Sequence, residues 1–115
     1  MSLLTKSVPI NTVADGSDLV TVRLGACVLR AVRVELGTLS TPDIAITEQP
    51  GNTSILSVSG VAADGTYYPS VLADNASGVD VVGAAWPVPV LDRIQVAIAG
   101  GGDTTSGRLI FLYER

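Results

Sequence analysis

The side chains that could do chemistry in this sequence are eleven carboxylates, the thiol of Cys27, the ammonium of Lys6, and the guanidiniums of Arg23, Arg30, Arg33, Arg93, Arg108 and Arg115. There is no histidine. A catalytic thiolate is normally activated by a neighbouring imidazole, which this chain cannot supply. Cys27 lies in the apolar run Ala26-Cys27-Val28-Leu29, and its natural reading is a buried, inert thiol. A lone cysteine also rules out an intrachain disulfide, so folding does not depend on oxidation.

The acids read as turn formers. Asp15, Asp64, Asp74 and Asp103 sit beside or near glycine, where Asp closes local side-chain-to-backbone turns. Asp74-Asn75-Ala76-Ser77-Gly78-Val79-Asp80 is rich in oxygen ligands but lacks the spacing and terminal Glu of an EF-hand calcium loop. Zinc would want His and Cys ligands that are nearly absent. Gly100-Gly101-Gly102 precedes an acid and then a strand pattern. A phosphate loop would end in Gly-Lys-Ser/Thr and open a helix. Asn52-Thr53-Ser54 and Asn75-Ala76-Ser77 match the glycosylation triplet, but the N-terminus shows no secretory signal pattern to route the chain there. The expectation is no catalytic residue, no cofactor and no metal.

Aromatic residues are scarce, 4% of the chain, yet Tyr67 and Tyr68 are adjacent and Trp86 precedes Pro87. Such rings could anchor a protein interface or stack on a sugar face. The better reading is structural: Tyr68-Pro69 ends a strand, and Trp86 before Pro87 plugs the end of a sandwich. Ala85-Trp86-Pro87-Val88-Pro89-Val90 must be extended, because residues before Pro avoid helical angles, and it belongs at an edge or corner because Pro cannot donate to a ladder.

The elements that hold these residues are strands. Breaks at Asp15-Gly16, Pro50-Gly51-Asn52, Asp64-Gly65, residues 74–78 and residues 100–103 separate short stretches rich in Val, Ile, Thr and Leu. Branched side chains suit a pleated sheet, and this spacing indicates a sandwich or barrel. We read strands near 7–13, 18–24, 27–36, 43–48, 54–60, 66–73, 79–83, 91–99 and 107–114. Within 28–36, strict alternation places Val28, Val32, Val34 and Leu36 on one face. Arg30 interrupts that face and must reach an edge or pair with an acid. Ile94, Val96 and Ile98 share a face, whereas 108–114 is apolar on both, as for a strand covered on two sides by a second sheet or a neighbouring subunit. The last two strands should form a hairpin with a mobile tip at 100–106. The fold class is all-β: a two-sheet antiparallel β-sandwich, for which jelly-roll topology is one option. Residues 1–12 are either an extended N-terminal arm or the first edge strand, and 13–115 form the sandwich domain.

Composition narrows the role. Hydrophobic residues are 47% and charged residues 16%, against about 25% charged in an average domain. A disordered tail would be polar and charged, and no apolar run approaches the roughly 20 residues of a membrane helix. The net charge of -4 opposes the basic stripe that phosphate backbones require. Neither nucleic acid nor membrane is an expected partner.

Asp64-Gly65-Thr66-Tyr67-Tyr68-Pro69, Pro89-Val90-Leu91-Asp92-Arg93-Ile94-Gln95-Val96, and Gly100-Gly101-Gly102-Asp103 with Gly107-Arg108-Leu109-Ile110 resemble small β-sandwich virion proteins of tailed bacteriophages. These are capsid decoration or cement proteins and other head-associated proteins. The resemblance covers about residues 60–114 and rests on turn and strand patterns. It implies a non-enzymatic homotrimer made in the host bacterial cytoplasm and bound to the major capsid protein on the capsid surface of the virion. The contact candidates are Leu3, Leu4 and Val8 on the N-terminal segment, with Tyr67, Tyr68, Trp86, Pro87 and Val88. Alternatives are a head–tail connector, a tail or fibre-knob component, or a carbohydrate-binding sandwich.

Overall fold

In the computed structural model the described residues are 3–49, 53–74 and 80–115, with the backbone alone described for 70–74 and 80–86. Ten strands are present: β1 Leu3–Asn11, β2 Asp18–Arg23, β3 Cys27–Glu35, β4 Asp43–Gln49, β5 Thr53–Val58, β6 Gly65–Tyr67, β7 Ser70–Asp74, β8 Asp80–Val90, β9 Arg93–Ala99 and β10 Ser106–Glu114. They form two antiparallel sheets, as expected of a β-sandwich. Sheet I has the order β1-β10-β3-β8-β7, with β6 also on β3, and sheet II has the order β2-β9-β4-β5.

The pairings are nested. β1 pairs with β10, β2 with β9, β3 with β8, and β4 with β5. The chain is thus one long antiparallel ribbon whose halves run together and fold over. Two further ladders, β10 with β3 and β9 with β4, close the ribbon into two sheets. This is the jelly-roll winding, with β6 and β7 inserted between β5 and β8.

Alternation explains the core. Sheet I contributes Val8 and Ile10 from β1, Leu109, Phe111 and Tyr113 from β10, and Val32 and Val34 from β3. Sheet II contributes Val22, Ile44, Ile46, Ile94, Val96 and Ile98. Because β9 and β10 lie in different sheets, the expected terminal hairpin does not form; their apolar faces meet across the core instead of their edges meeting laterally. Nor is the tip at 100–106 loose. The Gly101 amide donates to the Gly16 carbonyl at 2.9 Å, and the Ser40 amide donates to the Gly101 carbonyl at 2.9 Å. Gly16 has φ +82, and a Cβ there would meet the Gly102 nitrogen at 2.9 Å. Only glycine lets these two turns touch.

Thr12 ties the same end together. Its amide donates to the Thr105 carbonyl at 2.8 Å, and its hydroxyl lies 2.8 Å from the Gly102 carbonyl and accepts from the Thr105 amide at 2.7 Å. The Thr105 hydroxyl in turn donates to the Gly101 carbonyl at 2.7 Å. Thr12 is a buried polar residue with its hydrogen-bonding capacity used, as burial demands.

One irregularity shifts a face. Along β3 the register runs Ala31↔Leu112 and then Leu29↔Tyr113, leaving Arg30 as an extra residue opposite β10. This bulge flips the alternation. Cys27 and Leu29 face the core before it and Val32 and Val34 after it, while Val28 is only half-buried. Strict alternation had placed Val28 inside and Leu29 outside. Arg30 itself reaches Glu114 at 2.9 Å, so it does pair with an acid. The bulge also marks where β3 changes its neighbour, from β8 along Cys27–Leu29 to β6 along Val32–Val34.

Candidate functional site

Sheet II has an outer face of unusual chemistry. Across its four strands Leu19, Ala97, Ala45 and Ser57 stand in register, and so do Thr21, Gln95, Thr47 and Ser54. All four of the first row are exposed, Leu19 at 65%. Small side chains on β4, β5 and β9 leave a shallow depression of about 150 Å³ beside Ala45, Ser57 and Ala97, with Asp43 also lining it. None of these eight residues is charged; Asp43, Arg23 and Arg93 lie at the ends of their strands. A solvated sheet face normally alternates polar and charged groups outward, so this flat uncharged face is a candidate contact surface.

The outer side of sheet I is different. Ile110 and Leu112 are half-buried, flanked in register by Ser7 and Thr5 on β1 and by Arg33 and Ala31 on β3. Strand β10 is therefore covered on one side by sheet II and left partly open on the other. Around these apolar residues the charges are paired: Arg108 with Glu35, Arg33 with Glu35 at 3.6 Å, and Arg30 with Glu114. Exposed pairs of this kind contribute about 0–1 kcal/mol each, so they neutralise the surface more than they stabilise it.

The expected contact residues do not converge. Leu3 is exposed at the start of β1, whereas Leu4 packs against the core and Val8 lies inside it. Val88 is also a core residue. Val8 and Val88 therefore face inward and present no side chain to a partner: alternation along β1 and β8 puts both on the core side. Tyr67 pairs with Val32 and packs on the core, whereas Tyr68 is 75% exposed. Pro87 is half-buried. The backbone of Trp86 pairs with Val71, and its side chain lies outside the described residues, as does most of the oxygen-rich stretch 74–80. Leu3 and Tyr67–Tyr68 are separated by β10 and β3.

Two titrating groups have clear surroundings. The Ser17 hydroxyl and amide donate to the Asp15 carboxylate at 2.6 Å and 3.0 Å, holding it below the usual carboxylate range. Burial pushes the Cys27 thiol up, with the Arg115 charge acting in the opposite direction. Arg115 donates to the Leu24 carbonyl and lies over the Tyr113 ring at 5.7 Å. Among the described residues no three of Asp, Glu, Cys or His come together as a metal-ligand group.

Glu48 is the residue that sequence reasoning passed over. It is buried, and its Oε2 has no hydrogen-bond partner among the described residues. The signal was present in the alternation of β4: Ile44, Ile46 and Glu48 share the inward face. Compared with known proteins, the chain matches no family model and no curated sequence.

Proposed function

We propose that this chain is a non-enzymatic structural protein of a tailed-phage virion, a decoration or cement protein that binds the outer capsid surface and bridges capsid subunits. The observation that carries the reading is the uncharged, in-register outer face of sheet II. The sequence resemblance over about residues 60–114 supports it, as does a jelly-roll winding, which capsid and lectin domains also use.

Area decides how such a face would work. At about 4.8 Å between strands and about 6.8 Å between same-face residues, each residue covers roughly 33 Å². Eight residues therefore offer roughly 260 Å² of flat contact, whereas a stable interface needs about 800 Å² from each partner. One face alone holds weakly. Several copies linked in a homotrimer, with Ile110 and Leu112 in the contacts between copies, would hold firmly through avidity. Adhesion to the assembled lattice then stabilises the shell by mass action, with no chemistry involved.

Co-sedimentation with undecorated heads tests the proposal. Saturable binding at many copies per head is expected, and heads should become harder to disrupt by heat. Absence of saturable binding would reject it, and ring-like stoichiometry at a single vertex would assign the connector role instead. A carbohydrate-binding reading rests on exposed Tyr68, and glycan binding lost in Tyr68→Ala would favour it.

A further inference from the structure

At one end of the sandwich, between β8 and the β4–β5 pair, lies a pocket of about 280 Å³ lined by Glu48, Thr53, Val88, Pro89 and Leu91. Three of these residues are apolar, one is a hydroxyl and one is an acid. Glu48 is only 8% exposed, and its Oε2 is buried without a hydrogen-bond partner among the described residues. No arginine or lysine pairs with it among the described residues; five of the six arginines are ion-paired to Asp92, Glu35 or Glu114. Native proteins seldom leave a buried acceptor of this strength unmatched.

From this geometry we propose that the pocket binds a primary ammonium carried on an aliphatic stem. The ammonium donates to Glu48 Oε2, and the stem lies against Val88, Pro89 and Leu91. The size agrees, since drug-sized ligands occupy pockets of about 300–1,000 Å³ and this one is slightly smaller. A single open carboxylate oxygen suits a compact ammonium better than a guanidinium, whose planar fork is best matched by two oxygens. A free alkylamine and the lysine side chain of a partner protein share this chemistry.

The test is a titration of the intact protein, followed by NMR, with n-butylammonium and separately with Nα-acetyl-lysine methylamide. Saturable shifts at the Glu48 carboxyl and at the Val88 and Leu91 methyls are expected, with millimolar affinity. Glu48→Gln should weaken binding by about tenfold or more. It keeps the size and shape of the side chain, and its melting temperature checks that it folds. The neutral n-butanol should bind the parent at least about tenfold more weakly than the ammonium. Binding of both probes assigns the site to a lysine side chain, and binding of n-butylammonium alone assigns it to a free amine. No saturation with either probe, or equal binding by folded Glu48→Gln or of n-butanol, overturns the proposal.

Discussion

Replacing Thr12 by Val keeps the shape of the side chain and deletes one hydroxyl. The Thr105 amide then loses its acceptor at 2.7 Å. The Gly102 carbonyl loses a partner at 2.8 Å and keeps the Thr105 hydroxyl at 3.3 Å. A hydrogen bond contributes about 0.5–1.5 kcal/mol net, and a buried unsatisfied donor costs about 1–3 kcal/mol. Because the carbonyl keeps a weak partner and Val adds apolar contact, the expected loss is about 2 kcal/mol. Unfolding entropy of about 2.1 cal/mol/K per residue makes that a fall of roughly 8 °C in melting temperature for a chain of this length. Thermal and urea denaturation measure it. Thr21→Val, on the exposed face of β2, is the control and should stay within about 0.5 kcal/mol of the parent. A double-mutant cycle with Thr105→Val should show coupling of about 0.5–3 kcal/mol. A Thr12→Val protein as stable as the control would refute the idea that this knot of turns anchors the sandwich.

Four other outcomes are expected. Leu19→Asp, placing a charge in the uncharged row, should abolish binding to heads while leaving the melting temperature nearly unchanged; co-sedimentation and calorimetry read the two. Phe111→Ala, at a fully buried central position, should cost about 3–5 kcal/mol, seen as a lower urea midpoint. Ser17→Ala should move Asp15 back up towards the ordinary carboxylate range, measured by carboxyl NMR titration. In the parent the depressed value means that this contribution is present above the ordinary Asp pKa and lost as pH falls through the folded one. The raised Cys27 thiol has the opposite sign: its contribution is full below the ordinary thiol pKa and lost as pH rises through the folded value. Cys27→Ala should therefore lose less stability than the parent between neutral and alkaline pH, as followed by thermal melts.

Much of the fold was legible because alternation and turn residues are local signals. The strands read near 18–24, 43–48 and 91–99 appear as Asp18–Arg23, Asp43–Gln49 and Arg93–Ala99. Tyr68-Pro69 cuts the segment read as 66–73 into β6 and β7. Strand β8 runs on through Pro87 and Pro89 to Val90. It can do so because its described pairings place Ser70–Asp74 beside residues 80–87 and β3 beside Val88–Val90. At each proline the strand has an open side, as a residue without an amide donor requires. What alternation could not show was which strand lies beside which. For the terminal pair, proximity in sequence is the only neighbour signal, and it points to a hairpin. The bulge at Arg30 was hidden for a similar reason, since an extra residue changes the phase without changing composition. At the pocket beside β8, alternation held the position of Glu48, but the space next to it depends on how two strands far apart in sequence close over it.

The nested pairing also dictates an order of assembly. Strands β4 and β5 meet across a short connection, whereas Leu3 meets Glu114 from the far ends of the chain. Closing a loop costs entropy that grows with its length, so the ribbon is expected to zip outward from β4–β5, each pair shortening the loop the next must close. Folding on a timescale of milliseconds to seconds is the norm for such non-local sheets. On that order the β1–β10 ladder should dock last. Weakening it, for example with Ile10→Ala, should hasten unfolding and leave the refolding rate almost untouched.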